Sequence, residues 1–187
     1  MRGADRGKPL SYAEYLAAPE DRYAALLGGR CFREPPPAAN HQLVAGRVFA
    51  LLDGHVRGRG IGVAAEGLGA YLDERHVLIP DICFVSTPRL DRLTRRGLEG
   101  IAPDLCVEVL SPSTARRDRT DKARVYLAFG CREYWLVDVE ATSVEVRRPQ
   151  AGGAVMSATH RAPDTLPSAA VPGLRLALAD AFSACRP

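Results

Sequence analysis

The chain has 187 residues, 47% of them hydrophobic and 25% charged, with a net charge of +3. That length and composition suit one domain with its own core and exclude a wholly disordered chain. A pI near 8.7 permits nucleic acid as a partner without demanding it. Five cysteines (Cys31, Cys83, Cys106, Cys131, Cys185) include no CxxC pair, which argues against a disulfide framework or structural zinc and for a reducing compartment. The N-terminal stretch lacks the apolar core of a signal peptide, and no run approaches a membrane span. The expectation is a soluble, cytoplasmic protein without membrane contact.

In chain order, residues 1–9 read as a flexible basic tail. Residues 11–18 read as a short helix, with Ser11 and Glu14 at the spacing of a capping box. Residues 23–32 fit a helical turn or a strand, closed by Pro35, Pro36 and Pro37, which can neither donate to a ladder nor continue a helix. A long helix is predicted over 38–57, with Val44, Val48, Leu51 and Leu52 as its buried stripe and His41 extending it toward the N-terminus. Gly58 to Gly60 end it. Strands are predicted over 61–65, 69–72 and 76–85, then an amphipathic basic helix over 88–96.

The run Leu105-Cys106-Val107-Glu108-Val109-Leu110 reads as a strand buried on both faces. A turn at Ser111-Pro112-Ser113 leads into a helix with the stripe Val125, Tyr126 and Phe129. An aromatic-rich strand over 133–137 pairs with 143–147 as a hairpin. Residues 151–176 form a Gly/Pro-rich meander with weak strands, and 177–182 a last short helix. Together these predict one α/β domain, a mixed sheet flanked by helices with an antiparallel C-terminal annex. A glycine-rich phosphate loop, a GxSxG elbow and an HExxH helix are absent from the sequence.

Three charges break the apolar pattern. Glu108 interrupts the central strand. Asp81 lies on the predicted face of Ile79, Cys83 and Val85. Lys122 is i−4 from Tyr126, i−3 from Val125 and i−7 from Phe129, where the stripe calls for an apolar residue. A buried lone charge costs several kcal/mol, so each of these groups wants a partner or a metal. Two acids on core strands and a lysine on the next helix can hold a hard cation and a phosphate. A purely structural salt-bridge system is the competing reading, with Arg116, Arg117 and Arg119 a solvated helix entrance.

The residues Pro80-Asp81, the run from Asp104 through Glu108 to Thr114, Asp121-Lys122 and the segment Arg132 to Asp138 resemble the Uma family of proposed bacterial restriction endonucleases. That family is similar in turn to the PD-(D/E)xK nuclease superfamily, and the resemblance extends from Ser11 through Phe182. It implies a restriction-endonuclease-like fold and Mg²⁺- or Mn²⁺-dependent hydrolysis of DNA phosphodiester bonds. Asp81, Glu108 and Lys122 are the implied catalytic residues, and Asp81, Glu108 and the Val109 carbonyl the implied metal ligands. The lysine usually follows the second acid by two places; that place holds Leu110, and Lys122 on the following helix takes the role. His41, Gln42, Ser111, Arg116 and Arg117 are the expected substrate-binding residues, and a homodimer the expected assembly. Members often carry an acidic segment whose acids correspond to Ala25, Gly28 and Arg30. Hence a second expectation stands: a catalytically impaired nuclease-fold protein that binds nucleic acid or a protein partner.

Overall fold

A computed structural model describes residues 8–17, 24–33 and 36–183. At its centre is strand β9 (Leu105–Val109), buried along its whole length. Its neighbours in one six-stranded sheet are β4 (Gly62–Glu66), β7 (Ile82–Ser86), β10 (Glu133–Asp138), β11 (Ser143–Pro149) and β12 (Val155–Arg161), in the order β12-β11-β10-β9-β7-β4. β9 and β10 run parallel, so the chain between them must cross over. The crossover is the helical stretch α3 (Ala115–Arg117), a π turn (Asp118–Lys122) and α4 (Ala123–Ala128). All other pairs in this sheet are antiparallel.

Alternation along β9 sends its side chains into two different cores. Leu105, Val107 and Val109 join Phe84 and Trp135 against helix α2 (Ala39–Arg59). That helix buries Val44, Val48, Leu52 and Val56, a stripe at i, i+4 spacing, and ends where Gly60 takes φ 61°. Leu51, expected in the stripe, is only half-buried. Cys106 faces the other way with Tyr134 and Leu136, packing on Ala123, Val125 and Tyr126 of the crossover helix. Glu108 shares this second face by alternation, which is why one acid sits under a helix. The strand is therefore apolar on both sides because both sides are covered.

The second core is closed by another six-stranded sheet of β1 (Lys8–Pro9), β2 (Ala24–Leu27), β3 (Arg30–Arg33), β5 (Ala70–Asp73), β6 (His76–Leu78) and β8 (Leu98–Glu99). A small antiparallel pair, β13 (Thr165–Pro167) and β14 (Arg175–Ala177), and helix α5 (Leu178–Ala181) complete the α2 side. The expected α/β architecture, helices flanking mixed sheet with an antiparallel C-terminal pair, is what the chain forms. The β11–β12 hairpin extends the central sheet, so the separate annex is only β13–β14.

Local expectations fare differently. Helix α1 (Tyr12–Ala17) carries the capping box: the Glu14 amide donates to Ser11 Oγ (3.2 Å) and the Ser11 amide to Glu14 Oε2 (2.8 Å). β2 and β3 form a hairpin turned by Gly28 and Gly29, both at positive φ, the demand of a tight two-residue turn that glycine meets without strain. Lys8 and Pro9, expected in a tail, pair with β3; residues 1–7 of that tail lie outside the described residues. The strand predicted over 76–85 divides instead between the two sheets. Pro80 has no N–H for a ladder, and Ile79 to Asp81 form the passage from one sheet to the other. Residues 88–96 hold a single 3₁₀ segment (Thr87–Arg92) instead of a longer helix. Cys83, Cys106 and Cys131 are free thiols; Cys185 lies outside the described residues. Among the described residues no helix is long and apolar enough to cross a membrane.

Candidate active site

A cavity of about 590 Å³ opens at the carboxyl end of β9, between the first turn of α2, the end of β4 and the loop 111–114. Asp81 reaches it from the passage between the sheets. Its Oδ2 accepts a hydrogen bond from the Val109 amide at 2.7 Å, which fixes the carboxylate one residue along β9 from Glu108. His41 Nε2 lies 3.3 Å from the same oxygen. The Asp81 side chain keeps 29% exposure, whereas that of Glu108 keeps 3%. Both line the cavity.

Behind Glu108 lies Lys122. Its Nζ donates to Glu108 Oε2 at 3.3 Å and stands 3.0 Å from Asp118 Oδ1. Lys122 and Asp118 are as buried as Glu108, and neither is part of the cavity wall. The order from solvent inward is thus Asp81, Glu108, Lys122, Asp118. Counted as ionised, three carboxylates face one ammonium, a formal surplus of two negative charges. Buried charge of one sign is costly, and a divalent cation at the cavity would offset it.

A protonated His41 would offset part of it. Burial opposes a charge on its ring, but the Asp81 hydrogen bond and charge, a hydrogen bond to the Val109 backbone and the charge of Asp118 together raise its pKa above the ordinary 6.5. When protonated, the ring sits as a cation against the acid and the backbone that the sequence nominates as ligands. Gln42 and Ser111 also face the cavity. Ser111 Oγ shares hydrogen bonds with Ser113 Oγ (3.0 Å) and Thr114 Oγ1 (2.9 Å), a set of hydroxyls on the wall opposite α2. Helix α2 has no side-chain cap at Ala38, so amides of its first turn remain for an anion.

Of the nominated residues, Asp81, Glu108, Val109, His41, Gln42 and Ser111 line one cavity, with Lys122 directly beneath. Arg116 and Arg117 are outside its wall: Arg116 is exposed, and the Arg117 guanidinium stacks 4.1 Å above the Phe32 ring. Of the three positions where acids were expected, only Ala25 faces the cavity; Gly28 and Arg30 belong to the β2–β3 turn region. Two residues escaped the sequence reading. Asp118 was hidden in a run of arginines, although it is i−4 from Lys122 and thus on the same stripe. Glu66, at the exposed end of β4, lines the cavity and neighbours Asp81 through the Gly67 amide, which donates to the Asp81 carbonyl at 3.2 Å.

Among the described residues no three His, Cys, Asp or Glu side chains form a metal-holding cluster. The donor set is instead two carboxylates and the backbone at Val109, all hard oxygens, leaving room for water. That fits Mg²⁺, which takes one or two carboxylates and keeps several waters, better than zinc or copper.

Known proteins resemble this chain in sequence and in fold. The chain is 29% identical over 141 residues to "Uncharacterized protein slr1290" of Synechocystis sp., spanning 73% of this chain and 72% of that protein. A solved structure, a "putative nuclease belonging to DUF820" from Anabaena variabilis, superposes with a TM-score of 0.80 at 25% identity, covering 94% of this chain and 99% of the other. The model of the Uma2 family, described as "Putative restriction endonuclease", matches residues 12–179. With that match spanning most of the chain and the whole candidate site, the chain belongs to the Uma2 family.

Proposed function

We propose that the protein is a Mg²⁺-dependent endonuclease that hydrolyses DNA phosphodiester bonds at the Asp81–Glu108 cavity. The observation carrying this reading is the convergence of Asp81 and Glu108 on one cavity with Lys122 ion-paired behind Glu108. The family description and the nuclease name of the similar structure support it.

Asp81, Glu108 and the Val109 carbonyl would hold the cation. Bound there, Mg²⁺ supplies polarisation of a phosphoryl oxygen and a lowered pKa for water. The chain's own residues do the rest. Asp81 is pre-aimed by the Val109 amide, so no rotamer search precedes binding. Lys122 pairs with Glu108 from behind and adds positive charge beneath the reacting phosphate, where low dielectric makes a fixed charge effective. The α2 amides, Gln42 and Ser111 supply hydrogen-bond donors for phosphate oxygens. His41, 3.3 Å from Asp81 Oδ2, would have to give up that contact for a cation to be held there. Cutting both strands in one encounter calls for two sites, which a C2 homodimer provides.

The test is conversion of supercoiled plasmid to nicked or linear forms with Mg²⁺ or Mn²⁺. Wild type should cut, and Asp81→Asn should lose about a hundred- to a thousandfold in rate, the scale of one catalytic charge. Equal cutting by both proteins removes the assignment. Ala25 in the cavity wall favours a second reading, a nuclease-fold protein that binds nucleic acid without cutting. Salt-sensitive DNA binding together with no metal uptake by calorimetry would select it.

A further inference from the structure

We infer that Asp118 is the positioning residue for Lys122, holding the ammonium against Glu108 so that it stays in place when Glu108 turns its oxygens to a cation. This rests on the endonuclease reading for its catalytic consequence, but not for its geometry.

The ammonium lies between two buried carboxylates, 3.3 Å from Glu108 Oε2 and 3.0 Å from Asp118 Oδ1. Lysine has a flexible four-carbon stem and a compact charge. A single partner would leave it able to swing once that partner was drawn away. A second carboxylate on the lysine's own helix, four residues earlier, attracts the ammonium independently of Glu108. The backbone is shaped around this pair. Asp118 and Lys122 bound the π turn that interrupts the crossover helix, and the five residues of that turn include no glycine or proline to force the distortion. Widened turns of this kind recur at functional sites. The turn is anchored from the sheet as well, since Oη of Tyr134, a fully buried residue of β10, donates to the Asp118 carbonyl at 2.9 Å. Main chain and side chain of Asp118 are thus both engaged, one on the sheet and one on the lysine. A surface ion pair would need neither.

The experiment compares wild type with Asp118→Asn, which keeps shape and removes charge, and follows Lys122 by side-chain NMR on ¹⁵N-lysine-labelled protein, its signal assigned with Lys122→Arg. Metal-free wild type should show a slowly exchanging Lys122 ammonium, and Asp118→Asn should speed that exchange at least about tenfold. Plasmid cleavage should fall roughly ten- to a hundredfold in kcat, the range for groups that orient a metal site's ligands, with KM for DNA unchanged. Asp118→Glu should restore part of the loss. An unchanged Lys122 signal in folded Asp118→Asn overturns the inference, whatever cleavage does. A shifted signal in a protein whose wild type never cuts upholds the positioning and overturns the endonuclease reading instead. Asp118→Ser serves for the same comparison if the asparagine variant does not fold.

Discussion

Replacing Lys122 by methionine removes the ammonium that lies between Glu108 and Asp118 and leaves two buried carboxylates facing each other. At the observed 3.3 and 3.0 Å, each contact is worth about 5 kcal/mol of attraction at an effective dielectric of about 20. Much of that repays desolvation, so the net loss is about 3–5 kcal/mol, the usual result of orphaning one partner of a buried pair. For a domain of this size each kcal/mol moves the melting temperature by about 2–4 °C, which gives a fall of about 6–20 °C. Glu108→Gln should behave in the opposite way. It removes one of the surplus negative charges and leaves Lys122 paired with Asp118, so the metal-free protein should melt at the wild-type temperature or above it. Both values come from thermal unfolding in EDTA near neutral pH. The reasoning is refuted if Lys122→Met melts with wild type, or if Glu108→Gln falls as far as the lysine variant.

Three further outcomes test other parts of the account. His41 has a raised pKa, so its stabilising contact with Asp81 is complete below pH 6.5 and fades as pH rises through the raised value; His41→Gln should therefore lower the melting temperature more at about pH 5.5 than at about pH 8.5, and equal losses would show that the charge is not what matters. Glu133 is fully buried and its Oε2 accepts from the Ala169 and Ala170 amides at 2.6 and 2.9 Å; Glu133→Gln should cost at least about 2 kcal/mol in urea unfolding without weakening metal uptake, since this acid pins the 168–170 loop far from the cavity wall. The dimer proposed for double-strand cutting predicts twice the chain mass by light scattering at micromolar concentration, and a monomer there confines the protein to nicking.

The parts of the fold that were legible in the sequence are those written in local pattern. β9 announced itself because both of its faces are covered, and against that apolar run Glu108 stood out. Lys122 was found from the helical period, and its burial at 1% exposure bears out the placement. The capping box at Ser11 and Glu14 is a four-residue signal and needed nothing else. Asp81 was nominated as a candidate site residue and lines the cavity, but it was placed on a strand that does not exist there. Alternation of apolar residues from Ile79 to Val85 masks a change of sheet, and only Pro80 hints at it. The partition into two sheets rests on long-range pairings such as Leu26 with Val77, which no local preference specifies. Asp118 was missed for a different reason: flanking arginines give it the look of a solvated run, and a π turn breaks the regular helical count beside it. Carrying the Lys122 stripe back one turn would have reached it.

The central claim is that Asp81 and Glu108 share one divalent cation. Crystals soaked in Mn²⁺ and measured for anomalous scattering test it most directly. The account predicts one peak in the cavity, bounded by the Asp81 and Glu108 carboxylates and the Val109 carbonyl, with His41 moved off Asp81, and no peak in Asp81→Asn. Mn²⁺ bound elsewhere while the His41–Asp81 contact persists, in a protein that still cuts plasmid, would contradict it.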